Sequence, residues 1–68
     1  MSSLAVKFGK KVREERRALG HSQEDLSHLA DIDRSYLGRI ERGEANITLE
    51  TLYKLADALS VKPKLLLP

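Results

Sequence analysis

The chemistry in this chain is concentrated in residues 34–42, Arg34-Ser-Tyr-Leu-Gly-Arg-Ile-Glu-Arg42. On a helical wheel at about 100° per residue, Arg34, Ser35, Gly38, Arg39 and Arg42 fall in one arc of roughly 140°. Tyr36, Leu37, Ile40 and Glu41 take the other side. One side can therefore face a core while the other presents three guanidiniums, a hydroxyl and a bare backbone position. A guanidinium donates in a fork that matches O6 and N7 of guanine in the DNA major groove, and it also grips phosphate. Arg34, Ser35 and Arg39 are the base-reading candidates, with Ser35 able to serve either base or phosphate. Tyr36 lies where the two arcs meet, so its ring can enter the core and its hydroxyl can reach a phosphate. Gly38 costs about 1 kcal/mol against Ala inside a helix. Close approach to DNA and simple tolerance on an exposed face both account for it.

Glu41 is different, because it lies on the inward arc beside Leu37. A buried carboxylate is costly unless a cation meets it. Arg16, at the edge of the apolar stripe of the first helix, is the natural partner. The expected role of the Arg16–Glu41 pair is structural, holding helix one against helix three.

Five helical segments must position these groups, at about 3–19, 23–30, 34–42, 49–59 and 63–67. The first carries Phe8, Val12 and Leu19 at the helical period, with Leu4 and Ala5 nearby, and stops at Gly20. Ser22 caps the second and makes an approximate capping box with Asp25; Leu26, Leu29 and Ala30 face inward. Asp33 caps the third, which Gly43 ends. Thr48 caps the fourth, whose apolar side (Leu49, Leu52, Tyr53, Leu55, Ala56, Leu59) spans about 160° and calls for several packing partners. Pro63 suits the first position of a final short turn carrying Leu65, Leu66 and Leu67. The expected fold is all-α: a compact bundle of four helices plus a C-terminal turn, one domain over residues 1–68. The second and third helices, split by Ala30-Asp-Ile-Asp33, have the dimensions of a helix-turn-helix.

Composition narrows the function further. Sixty-eight residues without cysteine allow neither a disulfide nor a thiolate metal site. The net charge of +2 is only mildly basic, so the distribution of charge carries the argument rather than its sum. Three aromatic side chains are too few for a single-strand stacking platform. No apolar run approaches the roughly 20 residues of a membrane span. The amino terminus lacks the order of a secretory signal, so a cytoplasmic location is expected. The histidines His21 and His28 stand in no nucleophile motif, and there is no Gly-rich phosphate loop. His28 with Glu24 or Asp31 could meet a metal only on paper. No catalytic residue, metal, cofactor or small-molecule effector is expected.

Arg13-Glu-Glu-Arg16, Leu19-Gly20, Ser22-Gln23-Glu24-Asp25-Leu26, Ile40-Glu41-Arg42-Gly43 and Leu52-Tyr-Lys-Leu-Ala56-Asp-Ala-Leu59 occur in this order and spacing. Together they resemble the lambda-repressor/Cro-like helix-turn-helix regulators, the XRE family, over about residues 7–67. Residues 42–52 also resemble restriction–modification controller proteins, small dimeric members of that family. The resemblance implies that Gln23 bonds a DNA phosphate and that Arg34, Ser35 and Arg39 read or line the groove. It further implies that Arg42 and Asn46 hold the backbone and that Arg16 and Glu41 form an ion pair. Asp31 stands where the family often has Gly; if that turn needs a positive φ, Asp tolerates it better than most residues.

The expected function is sequence-specific binding of double-stranded DNA by a transcriptional regulator. It would be a homodimer on a palindromic operator, with helix 34–42 in the major groove. The dimer surface is expected at the end of the fourth helix and in the tail: Leu59, Val61, Leu65 and Leu67. A protein-interaction module on the same fold is the alternative; the arginine arc suits phosphate and base edges better than an apolar groove.

Overall fold

The computed structural model describes residues 3–68, so the first two residues of the expected domain lie outside it. The helices are α1 (Ser3–Ala18), α2 (Gln23–Ala30), α3 (Arg34–Glu41), α4 (Leu49–Ala58) and α5 (Pro63–Leu66). Local chemistry starts them. The Ser22 hydroxyl accepts from the Asp25 N–H at 3.0 Å while the Asp25 carboxylate accepts from the Ser22 N–H at 3.1 Å, a complete capping box. Asp33 accepts from the Ser35 N–H and Thr48 from the Thr51 N–H, each at 3.1 Å.

Local chemistry also ends them. After α2 the N–H of Ile32 reaches back to the Ser27 carbonyl, and after α3 that of Glu44 reaches the Arg39 carbonyl. Such a closure needs a left-handed residue between. Asp31 supplies it with φ 56° and Gly43 with φ 75°. Four of the helices end one residue earlier than expected, at Ala18, Glu41, Ala58 and Leu66. Arg42 and Leu59 still donate a helical N–H, so these differences belong to the fraying last turn.

One buried cluster draws on every helix: Phe8 and Val12 from α1, Leu26 and Ala30 from α2, Leu37 and Ile40 from α3, Leu52, Leu55 and Ala56 from α4, and Leu66 from α5. Several side chains expected to face inward do not. Leu4, Leu19, Leu29, Leu49 and Tyr53 are all exposed. Helix α4 packs on α2 and α5, and the wide stripe has edges that these two neighbours leave uncovered; Leu49 is 75% and Tyr53 58% exposed. Leu59 departs in the opposite sense. Expected at a dimer surface, it is 1% exposed and belongs to this chain's own core, with α5 packed on α4 beside it.

Helices α1 and α3 cross closely because Gly9 has no side chain. A Cβ there would sit 2.1 Å from the Ile40 carbonyl oxygen, which is rigid backbone. That contact brings Arg16 and Glu41 within reach of each other.

Candidate nucleic-acid interface

The inner side of α3 is fixed first. Leu37 and Ile40 are fully buried, and the Glu41 side chain, between them and α1, is 0% exposed. Arg16 meets it with a fork: Nε donates to Oε2 at 2.8 Å and NH2 to Oε1 at 3.0 Å. The third nitrogen of Arg16 donates to the His21 carbonyl at 2.9 Å, tying down the chain that leaves α1. Glu41 Oε1 also accepts from Gln23 Nε2 at 3.1 Å and from Arg13 Nε at 3.4 Å. Burial alone would push the Glu41 carboxyl up, yet the donors Arg16, Gln23 and Arg13 outweigh it and hold it below the usual carboxylate range. Among the described residues, no buried side-chain polar atom lacks a partner. The expected Arg16–Glu41 pair is therefore present, within a larger network than the sequence indicated.

The outer side of α3 is open. Arg34, Ser35 and Arg39 are all exposed, along the first and second turns of the helix. The Ser35 hydroxyl donates to the Asp33 carboxylate, so it is engaged in the cap and shares that carboxylate with its own N–H. Tyr36 is half-buried and packs against the core. Arg42 is exposed and its Nε donates to Glu44 Oε2 at 3.0 Å.

Gln23 is half-buried at the first position of α2. Its amide is oriented by Glu41: a carboxylate accepts, so the NH2 end turns inward and the carbonyl oxygen lies on the side of Gly38. Gly38 is buried, contrary to its place in an exposed arc. A Cβ there would be 3.1 Å from an Arg42 guanidinium nitrogen and 3.8 Å from the Gln23 oxygen. Its missing side chain thus clears space beneath two neighbouring polar groups. Asn46 stands apart from them, exposed in the loop on the rim of an apolar groove shared with Leu4, Phe8, Leu49 and Leu67.

Two functional groups escaped the sequence. Arg13, on the side of α1 away from its apolar stripe, is drawn onto Glu41; its place three residues before Arg16 is the only signal. Glu44, in the loop after α3, pairs with Arg42, and an acid two residues beyond that arginine is the signal for it. Among the described residues, no group of three or more His, Asp or Glu side chains is arranged to hold a metal.

An exposed cationic helix, propped from behind and following a supporting helix and a tight turn, is the form in which a helix enters the DNA major groove. The helix-turn-helix family pattern matches residues 12–66 of the chain. Control protein C.BamHI of Bacillus amyloliquefaciens is 40% identical over 67 residues, covering 97% of this chain and 83% of that protein. The restriction-modification controller protein C.AhdI from Aeromonas hydrophila superposes with a TM-score of 0.89 at 50% identity, covering 91% of this chain and 94% of its own. The controller protein C.Esp1396I, solved as a tetramer with its natural 35 base-pair operator, gives a TM-score of 0.86 at 32% identity, covering 91% of this chain and 82% of its own. The chain therefore belongs to the XRE-type helix-turn-helix family of transcriptional regulators, and within it is similar to the restriction–modification controller proteins.

Proposed function

We propose that this chain is a sequence-specific double-stranded DNA-binding regulator that acts as a homodimer, each α3 entering the major groove of one half of a palindromic operator. The observation that carries the reading is the asymmetry of α3. Leu37, Ile40 and Glu41 fix its inner side, while Arg34, Ser35 and Arg39 are exposed on the outer side. A rigid element presenting flexible forked donors suits base edges, since the backbone is already ordered before binding. Phosphate contacts then fall to Gln23, Tyr36, Arg42 and Asn46. The second hydrogen of the Gln23 amide remains for a phosphate while the first stays on Glu41. The operator-bound state of C.Esp1396I supports this mode of action.

The dimer surface is proposed on α5 and the turn before it, where Leu65 and Leu67 are exposed and Val61 is half-buried. Leu49 lines a groove with Leu67, and Leu49 and Tyr53 are exposed one turn apart on α4. With Leu59 in the core, these side chains replace it in the interface. Two-fold pairing through them would set half-sites about 34–36 Å apart, one helical turn of DNA. No helix among the described residues is long and apolar enough to cross a membrane; a cytoplasmic site of action is part of this proposal.

Selection from a pool of random-sequence duplexes, followed by sequencing of the bound fraction and sedimentation of the complex, tests the proposal. Enrichment of a palindromic sequence bound by two chains is expected. A pool that stays random, or a chain that retains no duplex, would favour the protein-interaction alternative.

A further inference from the structure

Glu44 places a negative charge at the end of the reading face, where a DNA phosphate would repel it. Its carboxylate accepts from Arg42 Nε at 3.0 Å, and its backbone carbonyl lies 3.5 Å from a guanidinium nitrogen of Arg39. The pair is open to solvent on both sides, with Arg42 53% and Glu44 36% exposed. Arg42 holds the Glu44 carboxyl below the usual range, and the charge of Arg39 adds to the effect. Gly38 makes the arrangement sterically free, because the Arg42 guanidinium lies over the position a Cβ would occupy, at 3.1 Å from it.

A carboxylate held against a guanidinium occupies the same donors that a phosphate oxygen would take. DNA must therefore displace Glu44 from Arg42 to gain that contact, and must then tolerate an unpaired carboxylate beside its own backbone. Resting on the DNA-binding function proposed above, we propose that Glu44 is an intramolecular competitor for Arg42. It holds the guanidinium that the DNA backbone would otherwise take and so weakens the sequence-independent part of binding. The base contacts of Arg34 and Arg39 would then carry a larger share of the total affinity. Such a residue would limit the time the protein spends on the excess of non-operator DNA, where phosphate contacts supply nearly all the binding.

The test is a salt titration of binding to a random-sequence duplex and to the selected operator, with the full chain and its E44Q, R42A and R42A/E44Q variants. E44Q should bind the random duplex about three- to tenfold tighter at low salt, with a log K against log salt slope steeper by about one. In the R42A background the same substitution should have little effect. Unchanged or weaker binding by E44Q would overturn the inference and make Glu44 a device that pre-orients Arg42. An equal gain with and without Arg42 would overturn it too, leaving only general repulsion from DNA. A wild-type chain that binds no duplex would overturn the DNA-binding function itself, whereas a binding wild type with an unchanged E44Q overturns the competitor alone.

Discussion

Glu41 and Glu44 stand three residues apart, the first at the end of α3 and the second in the loop beyond it, and each meets an arginine. Glu41 is closed from water and accepts from Arg16, Gln23 and Arg13; Glu44 is part-exposed and meets Arg42 through one nitrogen. Desolvation separates their roles. In the dry site a missing partner strands a charge, so the network must stay whole and α3 stays where α1 puts it. At the wet site water replaces either partner at little cost, so the pair can open when a phosphate arrives. The inner side of the helix is therefore built for permanence and the outer side for exchange.

The comparison breaks most visibly at Glu41. Glu41→Ala or Arg16→Ala should cost about 3–5 kcal/mol by leaving the other buried charge without its main partner. Total stability for a domain of this size is about 5 kcal/mol at the low end of the usual range, so either variant should be largely unfolded. Urea denaturation followed by circular dichroism measures this, and a double Arg16→Met/Glu41→Leu variant should recover much of the loss. A single variant with near-parental stability would mean that water reaches the pair. Gly9→Ala comes next. Its Cβ would meet the Ile40 carbonyl at 2.1 Å, so α1 and α3 must separate. A loss of about 1–3 kcal/mol is expected by the same denaturation, as for other overpacked contacts.

Acid should act on the network from below. The Glu41 carboxyl is lowered from an ordinary value of 4.5, so the folded state binds this proton less readily than the unfolded chain. Its contribution is fully present above pH 4.5 and is lost as the pH falls below that value through the lowered folded-state pKa. The cap carboxylates Asp25 and Asp33, lowered by bonds from Ser22 and Ser35, act in the same direction. Urea midpoints recorded against pH should be level above this window and fall within it. The smallest effect is expected at Glu44, where Glu44→Gln should leave the thermal midpoint at neutral pH unchanged. A clear drop there would make the outer pair part of the scaffold and remove the contrast.

Much of the scaffold could be read from the sequence because its signals are local. Ser22 with Asp25, Asp33, Thr48, Gly20 and Gly43 all act within a few residues of themselves, and each stands where expected. Asp31 fills the left-handed turn that its position suggested. The Arg16–Glu41 pair was legible for another reason: a carboxylate on an apolar arc demands a cation, and few cations lie near a facing stripe. What a helical wheel cannot show is how many neighbours cover a stripe. Leu29, Leu49 and Tyr53 therefore looked buried and are exposed, while Leu59 looked available and is buried. Gly9 and Gln23 owe their roles to helices that meet only in the folded chain. Their spacing held no equivalent signal.

The central claim is that Arg34 and Arg39 read bases from a helix held rigid behind them. Its most direct test is to measure Arg34→Ala and Arg39→Ala against the selected operator and each of its single base-pair variants, at fixed salt. The parent should discriminate at specific positions by about 1–3 kcal/mol each, and each variant should lose that discrimination at its own position while keeping the rest. Two variants that bind the whole panel with the parent's pattern of preferences would contradict the assignment of α3 as the reading helix.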